Sequence, residues 1–128
     1  MNAPLPNTLT AAAALSDAGW NALSRPKSIA LVGASGRASS VSFTSRFLQT
    51  NADLGYEGEI YLINPNRTEI LGRKCWPDVA TLPEVPEVVI INLPDEKVLP
   101  AVHEAIAKGA KALMIHSGGF GERGEAGL

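Results

Sequence analysis

Four short apolar runs set the layout of this chain: SIALV at Ser28–Val32, EIYLI at Glu59–Ile63, VVIIN at Val88–Asn92 and ALMI at Ala112–Ile115. Each is too short for a core helix and ends against glycine, asparagine, proline or histidine. Continuous apolar residues over so few positions belong to strands buried on both faces. The segments between them carry helical patterns. Val41–Gln49 places Phe43, Phe47 and Leu48 on one side of a helix. DEKVLPAVHEAIAKG has acids at its start and Lys108-Gly109 at its end, the charge order that a helix dipole favours. Pro100 must then sit in the first turn or bend the helix. Strand, helix, strand in repetition predicts an α/β fold, a doubly wound parallel sheet with right-handed crossovers. From Asn64 to Pro86 the helical signal is weak, with one turn expected at Asp78–Leu82.

The N-terminal residues read differently. Residues 1–9 hold two prolines and no periodicity, as a loose arm would. Thr10–Leu23 predicts a helix with Leu15, Trp20 and Leu23 on one face, ended by Arg25-Pro26. The expected division is therefore 1–26 for arm and helix and 27–128 for the α/β domain. A chain of 128 residues suffices for one small domain with a core.

The 45% hydrophobic and 19% charged content is that of a globular protein. With a net charge of −2 and both signs mixed along the chain, nothing points to a nucleic-acid surface or a membrane-binding basic face. One cysteine, Cys75, forms no internal disulfide and points to a reducing compartment. No apolar run reaches the roughly 18 residues of a membrane span. The N-terminus lacks a basic n-region, and Ala11–Leu15 is too short for a signal core. The expected location is cytoplasmic, where the sequon Asn66-Arg67-Thr68 carries no glycan.

In a parallel sheet, all loops leaving the C-terminal ends of the strands lie along one edge, where doubly wound folds bind ligands. Here those loops are GASGRA from Gly33, NPNR from Asn64, NLPD from Asn92 and HSGGFG from His116. Gly33 and Gly36 allow a sharp turn and close approach. The first loop and its sequel hold Arg37 and four serines with no acid, and the following helix presents free N–H groups to an anion. The alternative is a tight strand-to-helix turn with no ligand. Dinucleotide sites place an acid at the end of the second strand to hold the ribose hydroxyls. This chain has Asn64-Pro65-Asn66-Arg67 there. A cation in place of an acid argues against NAD and for a phosphorylated ribose, as in NADP or coenzyme A. Physical chemistry leaves both open.

No residue reads as catalytic. His103 falls on a solvated helix position, and His116 at the ligand edge fits a structural role better than ligand binding. Neither has a nucleophile or metal-ligand partner at the right spacing. Cys75 reads as a packing residue, Asp95 and Glu96 as helix N-terminal acids, and Lys108 and Lys111 as solvated or helix C-terminal charges.

Four motifs in order now carry a resemblance. RPKSIALVGAS, YLINPNR, the Leu93-Pro94 pair and SGGFGERGE together resemble the CoA-binding domain of the NDP-forming acyl-CoA synthetases. That group holds ADP-forming acetate–CoA ligases, the alpha subunit of succinyl-CoA synthetase and part of some large protein lysine acetyltransferases. The likeness runs from about Trp20 to the last residue. It implies a Rossmann-like fold in which Gly33 and the loop Ser35, Gly36, Arg37 and Ala38 wrap the CoA phosphates. It implies that Arg67, with Pro65 beside it, stands at the 3′-phospho-ADP end. Leu93 and Pro94 would line the adenine or pantetheine path, and Ser117, Gly118 and Gly119 would border the thiol.

The resemblance also implies ATP-grasp and phosphohistidine domains, which the sequence lacks, and a further helix and strand beyond Leu128. The expectation is a fragment of a longer acid–thiol ligase, lacking the last strand of its sheet. Two other functions remain open from the sequence: an NADP-binding domain of an oxidoreductase or redox sensor, and a stand-alone acyl-CoA sensor.

Overall fold

The computed structural model describes residues 17–35 and 42–116. Its elements are α1 (Asp17–Ser24), β1 (Ser28–Val32), α2 (Phe43–Asp53), β2 (Glu59–Ile63), β3 (Glu69–Ile70), β4 (Arg73–Trp76), β5 (Val88–Ile91), α3 (Asp95–Lys108) and β6 (Ala112–Ile115). They form one six-stranded sheet in the order β3-β4-β2-β1-β5-β6. Every pairing is parallel except that of β3 with β4. The fold is α/β and Rossmann-like, as the alternation of runs predicts.

Strand β1 lies at the centre and all five of its residues are buried. Its neighbours are β2 on one side and β5 on the other. The chain winds outward from β1 in one direction, then crosses back and winds in the other. The reversal between β1 and β5 is the switch point at which doubly wound sheets open a crevice.

Successive strand residues point to opposite faces, which produces two cores. On one face Ala30, Val32, Tyr61, Ile63, Val89 and Ile91 pack against Val98, Ala101 and Ala105 of α3. On the other, Ile29, Leu31, Leu62, Val88 and Ile90 pack against Ala22 of α1 and Phe43, Phe47 and Leu48 of α2. Leu31 and Leu62 are fully buried, so truncating either to alanine costs about 2–5 kcal/mol.

Several sequence expectations need correction. Within the described part of the first helix, Trp20 is 60% exposed and Leu23 38% exposed. The buried face of α1 carries Gly19 and Ala22 instead, small residues that allow close approach to the sheet. Helix α2 starts at Phe43, after Ser42 caps it by accepting the Ser45 N–H at 3.1 Å, and runs past Gln49 to Asp53. Local bonds carry that extension: Gln49 Nε2 donates to Asp53 at 2.8 Å and Asn51 Nδ2 to the Phe47 carbonyl at 2.8 Å. Pro100 sits in the second turn of α3, and the helix continues through it to a left-handed Gly109. The weak stretch after Asn64 holds an unpredicted hairpin, β3–β4, closed by Leu71 and Gly72 at φ 51° and 76°. The turn expected at Asp78–Leu82 is present, with the Thr81 N–H donating to Asp78 Oδ1 at 2.9 Å. Lys108 lies in the last turn of α3, as expected of a helix C-terminal charge. Its ammonium donates to the carbonyls of Ala80 at 3.2 Å and Leu82 at 3.0 Å, pinning that turn to α3.

Candidate functional site

All five parallel strands end on the same side of the molecule, so their exit loops share one edge. At its centre is Gly33, with φ +91°. A Cβ there would collide with the Asn92 carbonyl oxygen and lie 2.9 Å from its carbon. Only glycine lets the β1 loop pass this close to β5. Gly33 and Ala34 both donate their N–H to the Ile63 carbonyl, at 3.1 and 3.2 Å, so the chain leaves β1 bent toward β2. The Ser35 N–H then donates to the hydroxyl of fully buried Thr44 at 2.8 Å, which joins the start of the loop to the first turn of α2.

The second exit loop is held by Asn64. Its Nδ2 donates to the Ala34 carbonyl at 2.9 Å and its Oδ1 accepts from the Asn66 N–H at 2.8 Å. Its own N–H donates to the Trp76 carbonyl at 2.9 Å. One residue thus links the ends of β1, β2 and β4. On the other side, the Asn92 N–H donates to the Val32 carbonyl at 2.9 Å and the His116 N–H to the Ile91 carbonyl at 2.8 Å. The His116 ring stacks on Phe43 at 4.5 Å between centroids, with Nδ1 3.4 Å from Asn92 Oδ1.

Between these loops and α3 opens a cleft of about 470 Å³. Val32, Ile63 and Gly33 form its floor, Pro65 and Asn66 one wall, Pro77–Val79 another, and Leu93, Lys97, Pro100, Ala101 and Glu104 the roof. Its size and largely apolar lining suit a small-molecule ligand. Of the residues expected to bind, Gly33, Pro65 and Leu93 line this cleft. Pro94 stands beside it as the residue preceding α3. Arg67 is exposed on the β2 exit loop, outside the lining, with its N–H 3.4 Å from the Asn64 carbonyl. Gly36, Arg37, Ala38, Ser117, Gly118 and Gly119 fall outside the described residues. Sequence reasoning missed Asn64 as the organiser of the edge and Lys97 and Asp78 as lining residues. Only the position of Asn64, directly after β2, gave a signal for it.

Burial raises the Cys75 thiol above its ordinary range, and the side chain packs in the core cluster with Leu62 and Ile70. The phenol of Tyr61 is pushed up to about 12, chiefly by its hydrogen bond to Glu84 and then by burial. Among the described residues no group of three His, Cys, Asp or Glu side chains is gathered as a metal site. No described helix is long and apolar enough to cross a membrane.

Fold and edge together define a doubly wound α/β domain with a largely apolar cleft at its strand ends. Residues 27–126 match the family described as CoA binding domain, and the chain belongs to it. The chain is similar to a trans-feruloyl-CoA synthase of an unknown prokaryotic organism, 38% identical over 106 residues, covering 83% of this chain and 15% of that protein. It is also similar to the ADP-forming acetate–CoA ligase II of Archaeoglobus fulgidus, 38% identical over 103 residues, covering 80% of this chain and 15% of that protein. Among solved structures it resembles the dinucleotide forming acetyl-coenzyme A synthetase 1 of Ca. Korarchaeum cryptofilum in complex with phosphate and ADP. There the TM-score is 0.71 at 34% identity, covering 81% of this chain and 22% of that one. The chain is thus a CoA-binding domain homologous to part of the ADP-forming acyl-CoA synthetases, and coenzyme A is its cofactor. It spans about 15% of the length of the two curated relatives.

Proposed function

We propose that this domain holds coenzyme A across its strand-exit edge within a longer, NDP-forming acyl-CoA synthetase. The carrying observation is the convergence of Gly33, Asn64 and Leu93 on one cleft at the switch point. In this reading the loop from Gly33 through Ser35, Gly36, Arg37 and Ala38 wraps the diphosphate. The adenosine end lies toward Pro65 and Arg67. Leu93 and Pro94 line the path of the ligand, and Ser117, Gly118 and Gly119 border the thiol. The absence of an acid at the end of β2 supports a phosphorylated ribose.

The domain supplies binding and orientation. Fixing the thiol in reach of an acyl group converts a bimolecular attack into a local one. Acyl activation and phosphoryl transfer then belong to ATP-grasp and phosphohistidine domains, in the same polypeptide or in a partner subunit. A cytoplasmic location agrees with a free, buried Cys75.

Calorimetric titration with CoA, acetyl-CoA, NADP and NAD side by side tests this reading, with Arg67→Ala as the site variant. CoA and acetyl-CoA should bind and the nicotinamide cofactors should not. Loss of a charge-assisted bond to the 3′-phosphate should weaken CoA by about 10- to 150-fold in Arg67→Ala. NADP binding tighter than CoA would overturn the assignment.

A further inference from the structure

Lys97 is the cation that lines the cleft among the described residues. The two acids in the same lining are already engaged. Asp78 Oδ1 accepts the Thr81 N–H at 2.9 Å, and Glu104 Oε1 accepts the Val79 N–H at 2.9 Å. The Lys97 ammonium has no ion pair or hydrogen bond among the described residues. Its position is also unfavourable for the helix. It is the third residue of α3, in the first turn, where the positive end of the dipole disfavours a cation. Asp95 and Glu96 before it have the sign the dipole prefers. A residue that breaks a local rule without a structural return marks a functional position.

The connectivity of CoA says which group meets it. The ribose joins the adenine to the diphosphate. In the pose proposed above, the diphosphate sits at Gly33 and the adenosine end lies toward Pro65, so the ribose between them falls within the cleft that Lys97 lines. We propose that Lys97 is a specificity-determining residue. Its ammonium pairs with the ribose 3′-phosphate from the α3 side, opposite Arg67, and selects the phosphorylated adenosine end of CoA. This rests on the CoA site proposed above.

The test is a calorimetric titration of CoA and dephospho-CoA against the unmodified protein, Lys97→Met and Lys97→Arg. Lys97→Met should bind CoA about 5- to 30-fold more weakly, because an exposed ion pair sits at the low end of charge-assisted bonds. Its affinity for dephospho-CoA should change less than about twofold, and Lys97→Arg should restore most of the loss. The CoA loss should shrink as salt is raised. Lys97 is exposed, so the variants should keep the parent melting temperature. If Lys97→Met fails to fold, Lys97→Gln replaces it. Equal losses for both ligands, or no loss for CoA, overturn the role of Lys97 while leaving the site intact. Failure of the unmodified protein to bind CoA overturns the site itself.

Discussion

The side-chain amide of Asn64 bridges to the Ala34 carbonyl at 2.9 Å, and so ties the second strand-exit loop to the first. Its Oδ1 is occupied by the Asn66 N–H, so both ends of the amide are used. Asn64→Asp keeps the size and the acceptor but removes the donor and adds a negative charge at the ligand edge. We expect a loss of about 1–2 kcal/mol in stability and at least about tenfold weaker CoA binding. Denaturant unfolding and calorimetry check both. A variant with parental affinity would show that the tie does not shape the site.

Gly33→Ala should be far more damaging than its size suggests. The backbone there is left-handed and the added methyl meets the Asn92 carbonyl. Strain of about 1–3 kcal/mol for the conformation adds to a similar overpacking term. Chemical denaturation should register a loss of about 2–5 kcal/mol. A loss under about 0.5 kcal/mol would mean that β1 and β5 do not approach as closely as described.

Stability should also fall at high pH through Tyr61. Its phenol donates to Glu84 at 2.5 Å, and this bond raises its pKa from the ordinary 10.0 to about 12. Below pH 10 the phenol is neutral in both folded and unfolded states, and the bond contributes fully. As pH rises from 10 toward 12 the unfolded chain loses this proton first, so the folded state loses its advantage. Ultraviolet difference titration should find a tyrosine ionising near 12 that vanishes in Tyr61→Phe. Ionisation of that tyrosine near 10 in the folded protein would contradict the hydrogen bond.

How much was legible in the sequence follows from the range of the interactions. The buried strands were readable because β1 and β5 sit between two helical layers, which demands consecutive apolar residues. The bounds of β2 and β6 match their apolar runs, and β5 is one residue shorter than its run. The β3–β4 hairpin was not readable. Its strands are two and four residues long, and its turn uses Leu71-Gly72 where Asn-Gly would have signalled it. Trp20 and Leu23 misled because their periodicity fits a core-facing stripe, whereas close packing selected Gly19 and Ala22.

At the site, glycine at position 33 carried its own signal through its loop context. Lys97 did not, because nothing in a local window says that the first turn of α3 lines a cleft built at the ends of β1 and β2. The link from Lys108 to Ala80 and Leu82 is hidden for the same reason, spanning 28 and 26 residues. Arg67 was legible as a cation after β2, and its proposed partner is the ligand.

The most direct test of the central claim is the chemical-shift map of backbone amides as CoA is added to the labelled protein. The claim is that CoA lies across the strand-exit edge, in the cleft floored by Gly33. The largest shifts should fall on Gly33–Ser35, Asn64–Arg67, Leu93 and Lys97, with those of the β3–β4 hairpin and of α1 nearly still. Shifts centred on α1 or on the β6 edge, with Gly33, Asn64 and Leu93 unmoved at saturation, would contradict it.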